Sequence, residues 1–432
     1  MDMIKAAPMY TYNPLSRPES IRILVLQPSE DHTAPLLCDL VHDDRHQILL
    51  DIEQKRGYEA VSYTWGDPIF SHEILCGEEN ARLAITPNVD SLLRHLRKTS
   101  KPRRLWVDAI CLNQTDHIEK RVQVGLMGEI YRQATKVHVW LGDSLRWRKG
   151  PHPLGQLKDP NGFSKLMGFF RFTALEKSSH DEGTFLQTPS SRVFQGEKEL
   201  VSSLQMFLHA PWFQRRWTIQ EASLNRHTIV RYGRSKILWE DMSAALGILN
   251  SNMALDHVAS TSRETALAIR SQTGTILDLL YKHHEALCFD PRDRITALLS
   301  VATNNAASNQ NSSVPMRWTV DYEASWQENY LNFCQSAINN GDIVQIFAHL
   351  RAFGSLSQKS DSWPSWVPDW TRRRLRRAYN PNYSFPEPPE PSPFAALVTS
   401  QTGIPVLKVN LTRSFMIENV AGGHLQQTDS CM

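Results

Sequence analysis

Residues 104–141 determine the predicted fold class, because two strand patterns flank one helix pattern there. Residues 104–110 read RLWVDAI, with apolar side chains alternating on one face, which predicts a strand. Residues 136–141 read KVHVWL and predict a second strand, while apolar residues recur every four positions over 118–134 and predict a helix. Strand, helix and strand with short links form a βαβ unit, and such units build parallel sheets.

The predicted helix carries its own start signal and a defined apolar face. Asp116 followed three residues later by Glu119 is typical of a capping box at a helix N-terminus. The apolar residues that recur every four positions are Ile118, Val122, Leu126, Ile130 and Ala134, with Met127 and Tyr131 beside them, and they predict the buried face of the helix.

Further strands are predicted on the N-terminal side of this unit. Residues 21–26 are continuously apolar apart from one arginine, and residues 58–63 form a short apolar run that stops at a turn. Residues 73–76 and 82–85 flank Gly77, a pattern that predicts a hairpin.

The C-terminal side of the chain predicts mainly helices. They are expected over 197–209, 214–225, 239–251, 263–284, 293–302 and 324–339. The predicted organisation is an N-terminal extension over 1–20, a sheet domain over 21–250 with an irregular insertion at 144–196, a helical region over 251–375, and a proline-rich linker and tail over 376–432.

Composition narrows the class of protein. The 432 residues are 41% hydrophobic and 21% charged, which is typical of a globular protein, and a net charge of +2 predicts no nucleic-acid partner. No apolar run approaches the ~18 residues of a membrane span, and the N-terminus lacks a signal-peptide pattern, so we expect a cytoplasmic protein. Six cysteines without a CxxC pair predict reduced thiols, no disulfide framework and no metal site.

Five segments carry a family resemblance through their order and spacing. They are 58–66 (YEAVSYTWG), 105–114 (LWVDAICLNQ), 216–221 (RWTIQE), 290–294 (DPRDR) and 364–370 (PSWVPDW). The first three resemble the motifs of the fungal heterokaryon-incompatibility (HET) domain, and the last two resemble phrases found downstream in the same fungal proteins. The chain departs from the family pattern at Lys120, Gly125 and Gly128.

This resemblance implies a fold and a role. HET domains resemble TIR domains, so the implied fold is α/β, a TIR-like (flavodoxin-like) parallel sheet flanked by helices, with an added mainly helical C-terminal region. The implied role is that of an effector in non-self recognition between fungal cells, with programmed cell death as its output. Its partners would be proteins of incompatibility signalling, and a homo-oligomer is a further expectation.

The ends of the predicted strands supply candidate ligand-binding residues. Ligands of open parallel sheets bind beyond the carboxyl ends of the strands, where residues 62–66 and 108–114 are expected to line one crevice. Tyr63 and Trp65 are predicted to stack on a flat ring, and Gly66 shapes the turn beside them. Candidates for hydrogen bonds to sugar hydroxyls are Ser62, Asp108 and Asn113. Alternatively, Trp65 belongs to the core, Gly66 is a plain turn residue and Asp108 bonds loop amides.

Glu221 is the candidate catalytic residue, and Trp217 is a further candidate ligand-binding residue. Enzymatic TIR domains carry a glutamate four residues after a tryptophan on a helix, and Trp217 and Glu221 reproduce that spacing on one helical face. In those enzymes the glutamate holds the ribose of NAD while the bond to nicotinamide breaks, and an anion there stabilises the oxocarbenium-like centre. Alternatively, Glu221 only pairs with Arg215, Arg216 or Lys120, or caps a buried amide.

Two classes of function therefore stay open. The first is NAD cleavage by a TIR-like site, with NAD as a substrate and no cofactor implied with certainty. The second is a non-catalytic protein–protein interaction or oligomerisation module. The sequence contains no Gly-x-Ser-x-Gly, HExxH or phosphate-loop motif, which argues against hydrolase, zinc-protease and ATP-driven chemistry.

Overall fold

The computed structural model describes residues 7–50, 57–143, 162–179, 198–251, 274–303, 318–356, 363–374, 395–399 and 405–409. Contacts divide the chain into two compact units, Met1–Gln272 and Thr273–Met432. The sheet with the candidate site lies in the first unit.

The first unit is built on one nine-stranded sheet with the order β5-β4-β2-β1-β6-β3-β7-β8-β9. The strands are β1 (Ser20–Leu26), β2 (Leu37–Asp44), β3 (Glu59–Tyr63), β4 (His72–Cys76), β5 (Ala81–Ile85), β6 (Arg103–Trp106), β7 (Lys136–Trp140), β8 (Thr228–Tyr232) and β9 (Ser235–Leu238).

The sheet as a whole is mixed, so the prediction of a parallel sheet is wrong for the full sheet. The prediction holds for the four central strands. Strands β6, β3, β7 and β8 are parallel neighbours. Antiparallel pairs join β1 to both β2 and β6, β4 to β5, and β8 to β9. Short links explain three of these pairs, because a parallel connection needs a crossover of a dozen or more residues. The predicted hairpin around Gly77 is confirmed, with the glycine at a φ of 70°.

Helices flank this sheet. They are α1 (Arg45–Leu50), α2 (Pro87–Leu96), α3 (Asp108–Cys111), α4 (His117–Gln133), α5 (Gly162–Ser179), α6 (Lys198–Leu208), α7 (Thr218–Ser223) and α8 (Trp239–Ser251), with a 3₁₀ turn at Pro211–Gln214. The βαβ unit predicted from residues 104–141 is confirmed as β6, α4 and β7. The first unit therefore belongs to the α/β class, with a large mixed sheet and flanking helices.

The predicted strand over 104–110 is too long. Strand β6 ends at Trp106 and helix α3 begins at Asp108. The Asp108 carboxylate accepts a hydrogen bond from the backbone N–H of Ala109 (2.7 Å), and Cys111 N–H donates to the carbonyl of Val107. These local bonds begin a helical turn, which the alternating apolar pattern does not register.

Helix α4 differs from its prediction at its first turn. Asp116 caps the helix by accepting from the N–H groups of Ile118 and Glu119, as expected. Glu119 does not complete the capping box, because its carboxylate binds Arg22 and the N–H of Asn113 instead. Ile118 and Val122, placed on the buried face by the pattern, are 71% and 37% exposed, because the buried face of the helix runs instead through Gln123, Met127 and Tyr131.

The segment 144–196, expected to be irregular, contains helix α5. Its side chains Phe163, Leu166, Met167 and Phe170 are buried, and their helical spacing explains why the helix forms. The other residues of this segment lie outside the described ranges.

The second unit is mainly helical in its described residues. Its elements are α9 (Ile276–Lys282), α10 (Asp293–Leu299), α11 (Trp326–Asn339), α12 (Ile343–Phe353) and a hairpin of β10 (Ala395–Thr399) and β11 (Pro405–Val409). Trp370 is buried against Tyr330 and Phe333 and donates to His349 Nδ1 (2.9 Å). Residues 263–273 of the predicted helix over 263–284, and the proline-rich stretch over 385–394, lie outside the described ranges.

Candidate functional site

Side chains from two distant parts of the sequence meet near the carboxyl end of β3. Ser62 Oγ donates to Glu221 Oε2 (2.5 Å) and accepts from Trp212 Nε1 (2.7 Å). Ser62 is completely buried and Glu221 is 2% exposed. Ser62 lies on a central strand, next to Val139 of β7, and Glu221 lies on α7, which packs against β3 and β7. This Ser62–Trp212–Glu221 cluster forms the buried floor of the site.

A more accessible rim lies beside the floor. Trp65 Nε1 donates to Asp108 Oδ2 (2.8 Å), and the Trp65 residue is 36% exposed. Gly66 follows at a φ of 73°, a left-handed conformation that favours glycine, so the chain turns immediately after Trp65. Tyr63 is buried between rim and floor, and burial, reinforced by the Asp108 carboxylate, raises its pKa well above the ordinary value.

Electrostatics single out Glu221 within the cluster. Burial raises the pKa of the Glu221 carboxyl group to about 7, with Asp108 adding to the rise and Arg215 and the Ser62 hydroxyl opposing it. Burial also raises the pKa of Asp108, opposed by the Trp65 hydrogen bond and by Arg215. A buried carboxyl group that exchanges its proton near neutral pH is typical of functional sites.

The comparison with protein families covers this same part of the chain. Residues 58–221 match the family model "Heterokaryon incompatibility protein (HET)". The chain contains a HET domain. The matched range begins one residue before β3 and ends at Glu221, so it includes the floor and the rim of the site.

A relative resembles the chain well beyond the HET domain. Heterokaryon incompatibility protein 6, OR allele, of Neurospora crassa is 32% identical over 447 residues, an alignment that covers 89% of this chain. The chain spans 63% of the length of that relative. No solved structure matches this chain.

The structure brings together most of the residues predicted to form the HET-domain site. The stretches ending at Tyr63 and containing Asp108 and Glu221 converge, through the bonds of Ser62 to Glu221 and of Trp65 to Asp108. Ser62 and Tyr63 are both buried, whereas Trp65, Gly66 and Asp108 lie at the rim.

Asn113 and Trp217 stand apart from the Ser62–Trp212–Glu221 cluster. The Asn113 side-chain oxygen accepts from the N–H (3.2 Å) and the hydroxyl (2.8 Å) of Thr115, which places it in a local turn. Trp217 is half-buried and packs against the hydrophobic core of the sheet. Its carbonyl accepts from the N–H of Glu221 (3.2 Å), so the predicted one-turn spacing is observed.

Trp212 and Arg215 lie at the candidate site, although the sequence motifs did not predict them as part of it. The motifs of the sequence do not include Trp212, and they indicate Arg215 only as an ion-pair partner of Glu221. In the structure Arg215 donates to the carbonyl of Tyr63, and its charge acts on both Glu221 and Asp108. Their position just before the RWTIQE motif, on the link between β7 and β8, was the available signal.

Two kinds of feature are not found where the structure describes the chain. No group of three or more His, Cys, Asp or Glu side chains is arranged to hold a metal ion in the described ranges. In the same ranges, every helix is too short or too polar to cross a membrane.

Proposed function

We propose that this chain is a cytoplasmic effector of fungal non-self recognition whose output is programmed cell death. A HET-type role in fungal incompatibility is supported by the domain match and by the relative named Heterokaryon incompatibility protein 6. Cell death and protein partners are part of the proposal. Both concern the activity of the whole protein and go beyond the family role.

We further propose that the HET domain has a flavodoxin-like, TIR-like parallel core. Numbered along the chain, the parallel strands β3, β6, β7 and β8 are first to fourth, and their order in the sheet is second, first, third, fourth. That order is the one of flavodoxin-like sheets, in which ligands bind where the order reverses, beyond the carboxyl ends of the strands. Here the order reverses between β3 and β7, and Ser62 lies at that position.

We propose NAD cleavage as the activity of this site, with Glu221 as the catalytic residue. The observation that carries the proposal is the hydrogen bond of Glu221 to Ser62 at the point where the order reverses. When the bond to nicotinamide breaks, nicotinamide leaves as a neutral molecule and the ribosyl carbon becomes positively charged. An ionised Glu221 stabilises that charge strongly. A site shielded from water has a low effective dielectric constant, so it screens electrostatic interactions only weakly.

The burial of Glu221 sets a condition on this activity. A carboxylate that is 2% exposed and bonded to Ser62 contacts ribose only after the rim opens. Within the rim, Trp65 is the side chain we expect to move, because it is 36% exposed. The described conformation is therefore a closed state of the proposed enzyme.

The proposal is tested by incubating the purified chain with NAD and measuring nicotinamide release. We expect Glu221→Gln to lower the rate at least about 100-fold, the usual effect of removing a group that stabilises transition-state charge. Glu78→Gln is the matched control, because Glu78 is an exposed glutamate in the turn between β4 and β5. Equal rates for the two variants would exclude Glu221 as the catalytic residue.

A non-catalytic interaction or oligomerisation module is the second candidate. The burial of Glu221 favours it, together with the exposure of Ile69 and Phe70. This reading predicts no nicotinamide release from the wild-type chain, and assembly that depends on those two side chains. Light scattering of the wild-type chain and of an Ile69→Ser, Phe70→Ser double variant measures that dependence.

A further inference from the structure

Cys38 and Cys76 form a buried pair of thiols outside the candidate site. Their Sγ atoms lie 3.2 Å apart, and the residues are only 3% and 2% exposed. They are register partners on the parallel strands β2 and β4. Adjacent strands lie about 4.8 Å apart, within the roughly 4.4–6.8 Å between Cα atoms that a disulfide spans. The sheet thus holds two thiols, 38 positions apart in sequence, where a disulfide fits.

The joint between these two strands is short. Its register contains two pairs, Leu37 with Leu75 and Cys38 with Cys76. Two flanking backbone bonds of 2.9 Å extend it, from Leu75 N–H to Leu36 O and from Gly77 N–H to Cys38 O. Strand β4 continues into the hairpin with β5, so this joint is what attaches the hairpin to β2.

We propose that Cys38 and Cys76 are a peroxide-sensitive dithiol that forms an intramolecular disulfide across the joint of β2 and β4. A hydroperoxide oxidises one thiol to a sulfenic acid, and its O–O bond breaks to release an alcohol, or water from hydrogen peroxide. The second thiol then attacks the sulfenic sulfur, the S–S bond forms and water leaves. The two thiols together lose two electrons and two protons, which reduce the peroxide.

The burial of the two thiols limits the rate of this oxidation. The position of the disulfide in the sheet determines its effect on the protein. The hydrogen bond with Cys76, together with burial, raises the pKa of Cys38, so little thiolate exists while the sheet is closed. Oxidation therefore proceeds during local opening of the hairpin. The disulfide encloses residues 38–76, a stretch that contains β3 and the rim residue Trp65. Oxidation would thus restrain the segment from which the site projects, whether or not that site cleaves NAD.

The test uses the full chain, reduced and then treated with hydrogen peroxide. Free thiols are alkylated under denaturing conditions, and peptides are mapped by mass spectrometry without reduction. We expect a linked pair of peptides carrying Cys38 and Cys76, two hydrogen masses lighter than their sum. We also expect a melting temperature raised by roughly 5–10 °C and restored by dithiothreitol.

Single substitutions decide the assignment. Cys38→Ala and Cys76→Ala should abolish both the linked peptide and the thermal shift, whereas Cys111→Ala, at another buried thiol, should retain both. The proposal is overturned if both thiols of the peroxide-treated wild type remain alkylatable, or if they oxidise without joining each other. Mapping of the wild-type chain gives this answer even if a variant fails to fold.

Discussion

Arg22 and Glu119, 97 residues apart, form a two-pronged ion pair between β1 and the first turn of α4. Arg22 Nη1 and Nη2 donate to Glu119 Oε1 (2.5 Å) and Oε2 (2.8 Å). The Arg22 side chain is fully buried and the Glu119 side chain is 9% exposed. Arg22 also donates to the carbonyls of Asn13 (2.7 Å) and Cys111 (3.3 Å). One buried cation therefore ties four segments of the first unit together.

Removing the anion of this pair should destabilise the first unit strongly. We expect Glu119→Ala to lower the free energy of unfolding by about 3–5 kcal/mol, because Arg22 is left as a buried charge without its carboxylate. Urea unfolding followed by circular dichroism measures the change. Glu78→Ala, at an exposed turn, should stay within about 0.5 kcal/mol. A loss below 1 kcal/mol for Glu119→Ala would contradict the role assigned to the pair.

His138 should make stability depend on pH. Its ring is buried, with Nε2 2.6 Å from Glu59 Oε2 and Nδ1 3.0 Å from the Nε donor of Arg231. Burial, opposed by the hydrogen bond with Glu59 and helped by the charges of Arg231 and Arg103, lowers the pKa of His138 to about 4. The unfolded chain protonates at its ordinary value of about 6.5, so this stability contribution is complete above pH 6.5 and is lost as the pH falls towards 4.

His138→Asn should remove that part of the pH dependence. Between pH 7 and pH 4.5 the wild-type chain should lose on the order of 2–3 kcal/mol more than the variant. Parallel urea titrations at several pH values provide the comparison. Identical pH profiles for the two proteins would show that His138 does not titrate as its burial implies.

Glu221 should shift stability with pH in the opposite direction. Its pKa of about 7 in the folded chain lies above the unfolded value, so its contribution is complete below about pH 4.5 and is lost as the pH rises through 7. Glu221→Gln should therefore gain about 2–3 kcal/mol relative to wild type between pH 5 and pH 8. A constant difference between the two proteins across this range would mean that the carboxylate is hydrated.

Ser62 should matter for stability through both of its hydrogen bonds. Ser62→Ala leaves the Trp212 N–H and the Glu221 carboxyl group without this partner in a buried place. We expect a loss of about 1–3 kcal/mol in the free energy of unfolding. Ser71→Ala, an exposed serine in the link between β3 and β4, is the control and should change stability by less than about 0.5 kcal/mol.

Sequence periodicity predicted the framework well because it reports on faces buried along a whole element. It placed β3, α4 and β7 correctly and the start of β6, and it brought residues 62–66 and 108–114 to the same end of the sheet. Glu221 was indicated by the family resemblance and not by periodicity. Periodicity failed where one or two hydrogen bonds decide the local structure. Asp108 begins a helical turn, and Glu119 binds Arg22 rather than its own helix N-terminus.

Local sequence patterns could not predict how the other strands and side chains are arranged around that framework. The antiparallel pairing of β1 with β6 joins strands nearly 80 residues apart, so it carried no local signal, whereas the antiparallel hairpin of β4 and β5 did. For the same reason Trp212 was missed, since its bond to Ser62 spans 150 positions. The burial of Glu221 could likewise not be predicted from the sequence, because an acidic residue on a helix is usually exposed.

The pH profile of nicotinamide release from NAD tests the central claim most directly. If Glu221 acts as an anion, the rate for the wild-type chain should rise as the pH passes about 7, where its carboxyl group ionises, and should then level off. Glu221→Gln should show no such rise and at least about 100-fold less release. Release that is absent at every pH, or that is equal in both proteins, would contradict the account.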